Sequence, residues 1–92
     1  MSNIKIQQLN TINNKTINIL TKRLKKVLDV AFQYEYTVYC IFWSECNNGW
    51  MIDIFEDCDE NETYESLSER EDYESMLCTG KAKQAVKWAL FG

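Results

Sequence analysis

The chain has no histidine and no proline, and only three of its 92 residues are glycine. Without histidine the commonest general base is missing, as is the usual partner of a Ser or Cys nucleophile. An enzyme built here would have to run on carboxylates alone. Three glycines leave little for a phosphate cradle, and no G-x-x-x-x-G-K-[ST], G-x-G-x-x-G or G-x-S-x-G sequence occurs. No run of apolar residues is long enough to span a bilayer. The opening "MSNIKIQQLNTINNK" lacks the apolar block of a signal peptide, so a cytoplasmic protein is expected. Cysteine is present at Cys40, Cys46, Cys58 and Cys78, but never as C-x-x-C. A structural zinc would therefore need four scattered thiolates, which is poor zinc spacing. With no secretion signal these thiols are expected reduced, and Cys40 and Cys78, set in apolar runs, read as small core residues. Neither catalysis nor a metal nor a cofactor is expected.

What is present suffices for a core. The apolar fraction is 46% and twelve residues are aromatic, enough to predict one compact domain over 1–92. The clearest periodicity lies in residues 15–33, "KTINILTKRLKKVLDVAFQ". There Ile17, Leu20, Leu24, Val27, Leu28 and Ala31 recur at helical spacing, with Asn13 or Asn14 as N-cap. Lys22, Arg23, Lys25 and Lys26 fall on the opposite face, either as a phosphate grip or as ordinary solvated charge. Ahead of this helix, residues 1–13 read as an N-terminal arm. Ile4 and Ile6 alternate as in a strand, whereas Ile6, Leu9 and Ile12 suit a helical extension.

Residues 36–43, "YTVYCIFW", predict a strand buried on nearly both faces, and 50–55, "WMIDIF", a second with Trp50, Ile52 and Ile54 on one side and Asp53 on the other. Asn48-Gly49 between them predicts a type I′ hairpin. A third strand is expected near 75–79. A C-terminal helix follows, with Thr79 as N-cap and Ala82, Ala85, Val86, Ala89 and Leu90 on one stripe. Trp88 and Phe91 flank that stripe, as core edge or as a self-association contact, a homodimer being one outcome. The expected fold is α+β, a small three-stranded antiparallel sheet packed by an N-terminal and a C-terminal helix.

Between the second and third strands lies an acidic excursion, 56–74, "EDCDENETYESLSEREDYE". It holds ten carboxylates and one arginine: Glu56, Asp57, Asp59, Glu60, Glu62, Glu65, Glu69, Glu71, Asp72 and Glu74. Split by sign, residues 1–34 carry a net of +5, residues 35–80 a net of −12, and residues 81–92 a net of +3. Asp57, Asp59 and Asn61 begin like an EF-hand loop. Glu62 then stands where glycine is needed, and Ser68 where the bidentate Glu belongs. A catalytic carboxylate pair needs a pocket to shift its pKa. A solvated loop, pairing with the chain's own basic helix, is the plain alternative. Against a bare spacer stand the apolar anchors Tyr64, Leu67 and Tyr73, and the capping-box spacing of Ser66-Leu67-Ser68-Glu69. If helical, nineteen residues at about 1.5 Å each would carry a carboxylate roughly every 3 Å, close to the phosphate spacing of a DNA strand.

Small size, no catalytic equipment and a dense anionic surface resemble the anti-CRISPR and anti-restriction inhibitors that phages and mobile elements encode against host nucleases. The resemblance is one of character and rests on no shared motif. It implies a non-enzymatic inhibitor whose ten tract carboxylates meet a basic, nucleic-acid-binding groove of a CRISPR effector or nuclease. An adaptor, or a nucleic-acid-binding accessory protein using the basic helix, are the other classes.

Overall fold

The computed structural model describes residues 5–92, so Ile4 lies outside the described residues. The elements follow in the order β1 (Gln7–Leu9), α1 (Asn14–Val27), β2 (Asp29–Tyr34), β3 (Thr37–Ser44), β4 (Gly49–Phe55), α2 (Tyr64–Ser68), β5 (Glu74–Cys78) and α3 (Ala82–Phe91). The class is α+β, but the expected three-stranded antiparallel sheet is corrected to a mixed sheet of five strands in the order β1-β2-β3-β4-β5. Strands β2 to β5 are antiparallel neighbours, and β1 is parallel to β2. A parallel pair needs a crossover of helix length, which α1 supplies.

The extra strands come from two misread stretches. The expected helix over 15–33 stops at Val27. Asn13 caps its start, with Oδ1 accepting from the Thr16 amide, and Leu28 ends it in the left-handed region at φ 60°, its N–H donating to the Leu24 carbonyl. Beyond that turn Val30 and Phe32 alternate with Ala31 and Gln33, and the segment pairs with β3 from Asp29↔Phe42 to Tyr34↔Thr37. Val27 and Leu28, placed on the buried stripe by periodicity, are instead about half exposed, and Ala31 faces the sheet's other layer. The arm, for its part, contributes β1. Leu9 packs at the margin of the core while Gln8 reaches the buried Gln33.

The 36–43/50–55 hairpin forms, with a different turn. Residues 45–48 make the connection, Asn48 alone of these takes a positive φ (51°), and Gly49 already belongs to β4. Gly49 is needed for close approach, because an added Cβ would lie 2.9 Å from the Cys78 carbonyl oxygen. In α3 the N-cap is Lys81 rather than Thr79, with no side-chain cap bond. The expected third strand and the α3 stripe are as read, Ala82, Ala85, Val86 and Ala89 being buried.

Strand alternation divides the interior in two. On one face Val30, Phe32, Ile41, Trp50, Ile52 and Cys78 pack under α1 (Ile17, Leu20, Leu24) and the alanine stripe of α3. On the opposite face Ala31, Val38, Cys40 and Phe55 pack under Cys58 and Leu67, which belong to the acidic excursion. No helix among the described residues is long and apolar enough to cross a membrane.

Candidate functional site

The excursion folds down as a cap on the sheet face away from α1 and α3. Two sets of contacts hold it to the sheet, and a third ties it together. Leu67 and Cys58 are 2% exposed, and the Cys58 amide donates to the Tyr36 carbonyl (2.8 Å). Burying each such apolar side chain contributes on the order of 1.5–3 kcal/mol. Gln33, 1% exposed, acts as a polar rivet from below. Its Nε2 donates to the carbonyls of Asp59 (3.0 Å) and Glu35 (3.2 Å), and its Oε1 accepts from Gln8 Nε2 (2.8 Å). The third set is a guanidinium clasp. Arg70 Nε and Nη2 fork onto Asp72 at 3.1 and 3.2 Å, and Nη1 donates to Cys58 Sγ at 3.3 Å. This bond holds the Asp72 carboxyl below the usual carboxylate range. Burial pushes the Cys58 thiol up, with the nearby Arg70 charge working against it.

Within the cap, α2 is only five residues long, so the rod that would match DNA's charge spacing is not built. The capping box also sits elsewhere than expected. Thr63 is the N-cap and Ser66 its reciprocal partner, each side chain bonding the other's backbone amide. Of the predicted anchors, Leu67 is buried and Tyr64 half-buried. Tyr73 is 45% exposed and stacks on Phe55 with ring centres 4.9 Å apart.

The ten carboxylates divide by what they touch. Glu62 turns inward, accepting from Ser66 Oγ and the Asp59 amide, while Asp59 accepts from the Asn61 amide and Asp72 holds Arg70. Glu56, Asp57, Glu60, Glu65, Glu69, Glu71 and Glu74 are exposed, with no side-chain hydrogen bond or ion pair among the described residues. Glu56, Asp57, Asp72 and Glu74 border one shallow groove beside Tyr73. Glu60 stands with Glu35 at another groove, near the ends of β1 and β2. Glu35, in the two-residue turn between β2 and β3, was missed because one isolated acid in a sequence carries no signal. Among the described residues no three His, Cys, Asp or Glu side chains gather in a way that could hold a metal ion. The EF-hand-like start thus acquires no matching geometry.

The opposite layer carries the reverse sign. Lys15, Lys22, Arg23, Lys25 and Lys26 on α1 and Lys81, Lys83 and Lys87 at α3 are all exposed, and neither helix contains an acid. None pairs with a cap carboxylate among the described residues, so the pairing of the tract with its own basic helix is not formed, while the solvated charge of the plain alternative stands. The sheet stands between them. Trp88 (44% exposed) and Phe91 (65%) lie in this basic layer and not on the cap. Compared with known protein families, with curated proteins and with solved structures, the chain matches none.

Proposed function

We propose that this is a non-enzymatic inhibitor whose acidic cap docks into a basic, nucleic-acid-binding groove of a defence nuclease or CRISPR effector. The observation that carries this reading is the set of seven exposed, unengaged carboxylates on a cap anchored by Leu67, Cys58 and Gln33. A flexible tract would lose conformational freedom on docking; an anchored one has already lost it, so more of the interaction appears as affinity. The cap imitates the field of a polyanion and not its rod shape. Docking displaces the counterions that the basic groove holds, is steered at long range, and weakens with salt because the Debye length is about 8 Å at physiological ionic strength.

A second reading has its own support. The α1 and α3 cations share one layer, so the nucleic-acid-binding class has eight charges to work with instead of the four read from α1 alone. On that reading the helices grip phosphates, and Trp88 offers a ring for stacking.

A pull-down with tagged protein, from a lysate containing nucleases and CRISPR effectors, separates the two. The cap reading expects a basic nuclease or effector retained at low salt and lost at high salt. Replacing Glu56, Glu60, Glu69, Glu71 and Glu74 with Gln abolishes that retention, and reversing Lys22, Arg23, Lys25 and Lys26 leaves it unchanged. Recovery of nucleic acid, lost on helix reversal, favours the second reading. Recovery of the chain alone favours an adaptor that self-associates through Trp88 and Phe91.

A further inference from the structure

The cap does not seal the face it covers. Between cap and sheet lies a cleft of about 140 Å³, lined among others by Cys40, Asp53, Phe55, Tyr64, Arg70 and Tyr73. Asp53 is its unusual member. It is half-buried in the middle of β4, where its neighbours Ile52 and Ile54 turn to the helical face and leave it against the cap. Burying a carboxylate is costly unless it is partnered. Ser75 Oγ donates to Asp53 Oδ1, while Oδ2 takes no hydrogen bond among the described residues.

We infer that this cleft receives an arginine side chain of the bound partner, stacked on the Phe55–Tyr73 pair and forked onto the Asp53 carboxylate. A guanidinium is planar, so it lies on an aromatic face, and its donors match a carboxylate's two oxygens. The cleft offers both kinds of surface. Arg70 also lines the cleft and would repel a second guanidinium, a repulsion reduced because Asp72 pairs with its charge and its third nitrogen donates to Cys58. The local field has the right sign. Burial first, and then the charges of Asp53 and Asp29, raise the Cys40 thiol above its ordinary value; burial first, and then Asp29, Cys40 and Asp53, raise the Tyr64 phenol. Another anion would meet that same field. The inference rests on the reading of the cap as a surface for a basic groove, which supplies the arginine.

Its test needs no partner protein. Blocked arginine (N-acetyl-arginine methylamide) is titrated into the protein at low salt and followed by amide chemical shifts. Blocked citrulline, the neutral isostere, and blocked glutamate are titrated in parallel. Saturable shifts at Asp53, Phe55, Tyr64 and Tyr73 are expected with arginine and absent with the other two. Asp53→Asn, which keeps an acceptor for Ser75, should weaken binding on the order of tenfold through loss of the charged hydrogen bond. Tyr73→Leu should weaken it severalfold. Shifts that never saturate, that citrulline reproduces, or that glutamate produces instead overturn the proposal. The comparison of ligands on the unaltered protein stands even if a variant loosens the cap. Saturable arginine binding without any retained effector would keep the cleft and sink the inhibitor reading; a retained effector with an empty cleft would do the reverse.

Discussion

The two faces of the sheet are covered in different ways. On the helical face, α1 and α3 lay three large aliphatic side chains and an alanine stripe over Val30, Phe32, Ile41 and Ile52, all at most 1% exposed. That layer is apolar throughout except for Thr21, whose buried Oγ1 has no hydrogen-bond partner among the described residues. On the capped face an irregular segment rests on two buried side chains and a glutamine, and a guanidinium clasp ties it together. The helical face carries the larger apolar core; the capped face carries the acidic charge. Regions with few buried apolar contacts open locally at lower free energy than the core.

Breaking the two faces separately should give unequal effects. Phe32→Ala removes a fully buried ring from beneath the helices and should cost about 3–5 kcal/mol in denaturant unfolding. Leu67→Ala should cost about 2–4 kcal/mol at most. Its distinguishing result is local, with amides of 56–73 losing hydrogen-exchange protection while those of β3 and β4 keep theirs. Equal loss across both regions would show one cooperative layer instead of two.

The next effect belongs to pH. Cys40 lies under the cap, and burial, followed by the charges of Asp53 and Asp29, pushes its thiol from 9.0 up to about 12. A folded pKa above the unfolded one means that the unfolded chain releases this proton first as pH rises. Stability from the neutral thiol is therefore complete below pH 9 and is lost between 9 and about 12, at roughly 1.4 kcal/mol per pH unit. The stability difference between the unaltered protein and Cys40→Ala, followed through this window, should shrink as pH rises; a constant difference would contradict the assignment. The smallest effect has the opposite sign. Thr21→Val keeps the branched shape and removes the unpartnered hydroxyl, and should stabilise by about 1 kcal/mol.

Much of this division was legible in the sequence. The α3 stripe, the central hairpin, the Asn13 cap and the segregation of charge all follow from spacing and sign. The five-stranded sheet was not, because Val27, Leu28 and Ala31 satisfy a helical period as well as a turn into a strand. The turn itself depends on a leucine adopting a left-handed backbone, which favours glycine and so leaves no mark in the sequence. Strand β1 is three residues long and is stabilised by pairing with β2, a non-local effect. The cap's shape was hidden for a related reason. Gln33 looks like any polar residue until the fold buries it beneath Asp59, and Arg70 looks like a lone cation in an acidic run until Cys58 and Asp72 surround it. Asp53 did leave a signal, as the one charge in an apolar strand, and that alternation is what places it in the cleft.

The central claim is that the acidic excursion is a folded layer on the face opposite the basic helices. Amide hydrogen exchange by NMR tests it most directly, at the Cys58 amide bonded to the Tyr36 carbonyl and the Leu67 amide bonded to the Thr63 carbonyl. Both should exchange well below random-coil rates in the unaltered protein, and both should lose that protection in Leu67→Ala. Random-coil exchange throughout 56–73 in the unaltered protein would mean that no cap exists, and the anionic surface proposed here would go with it.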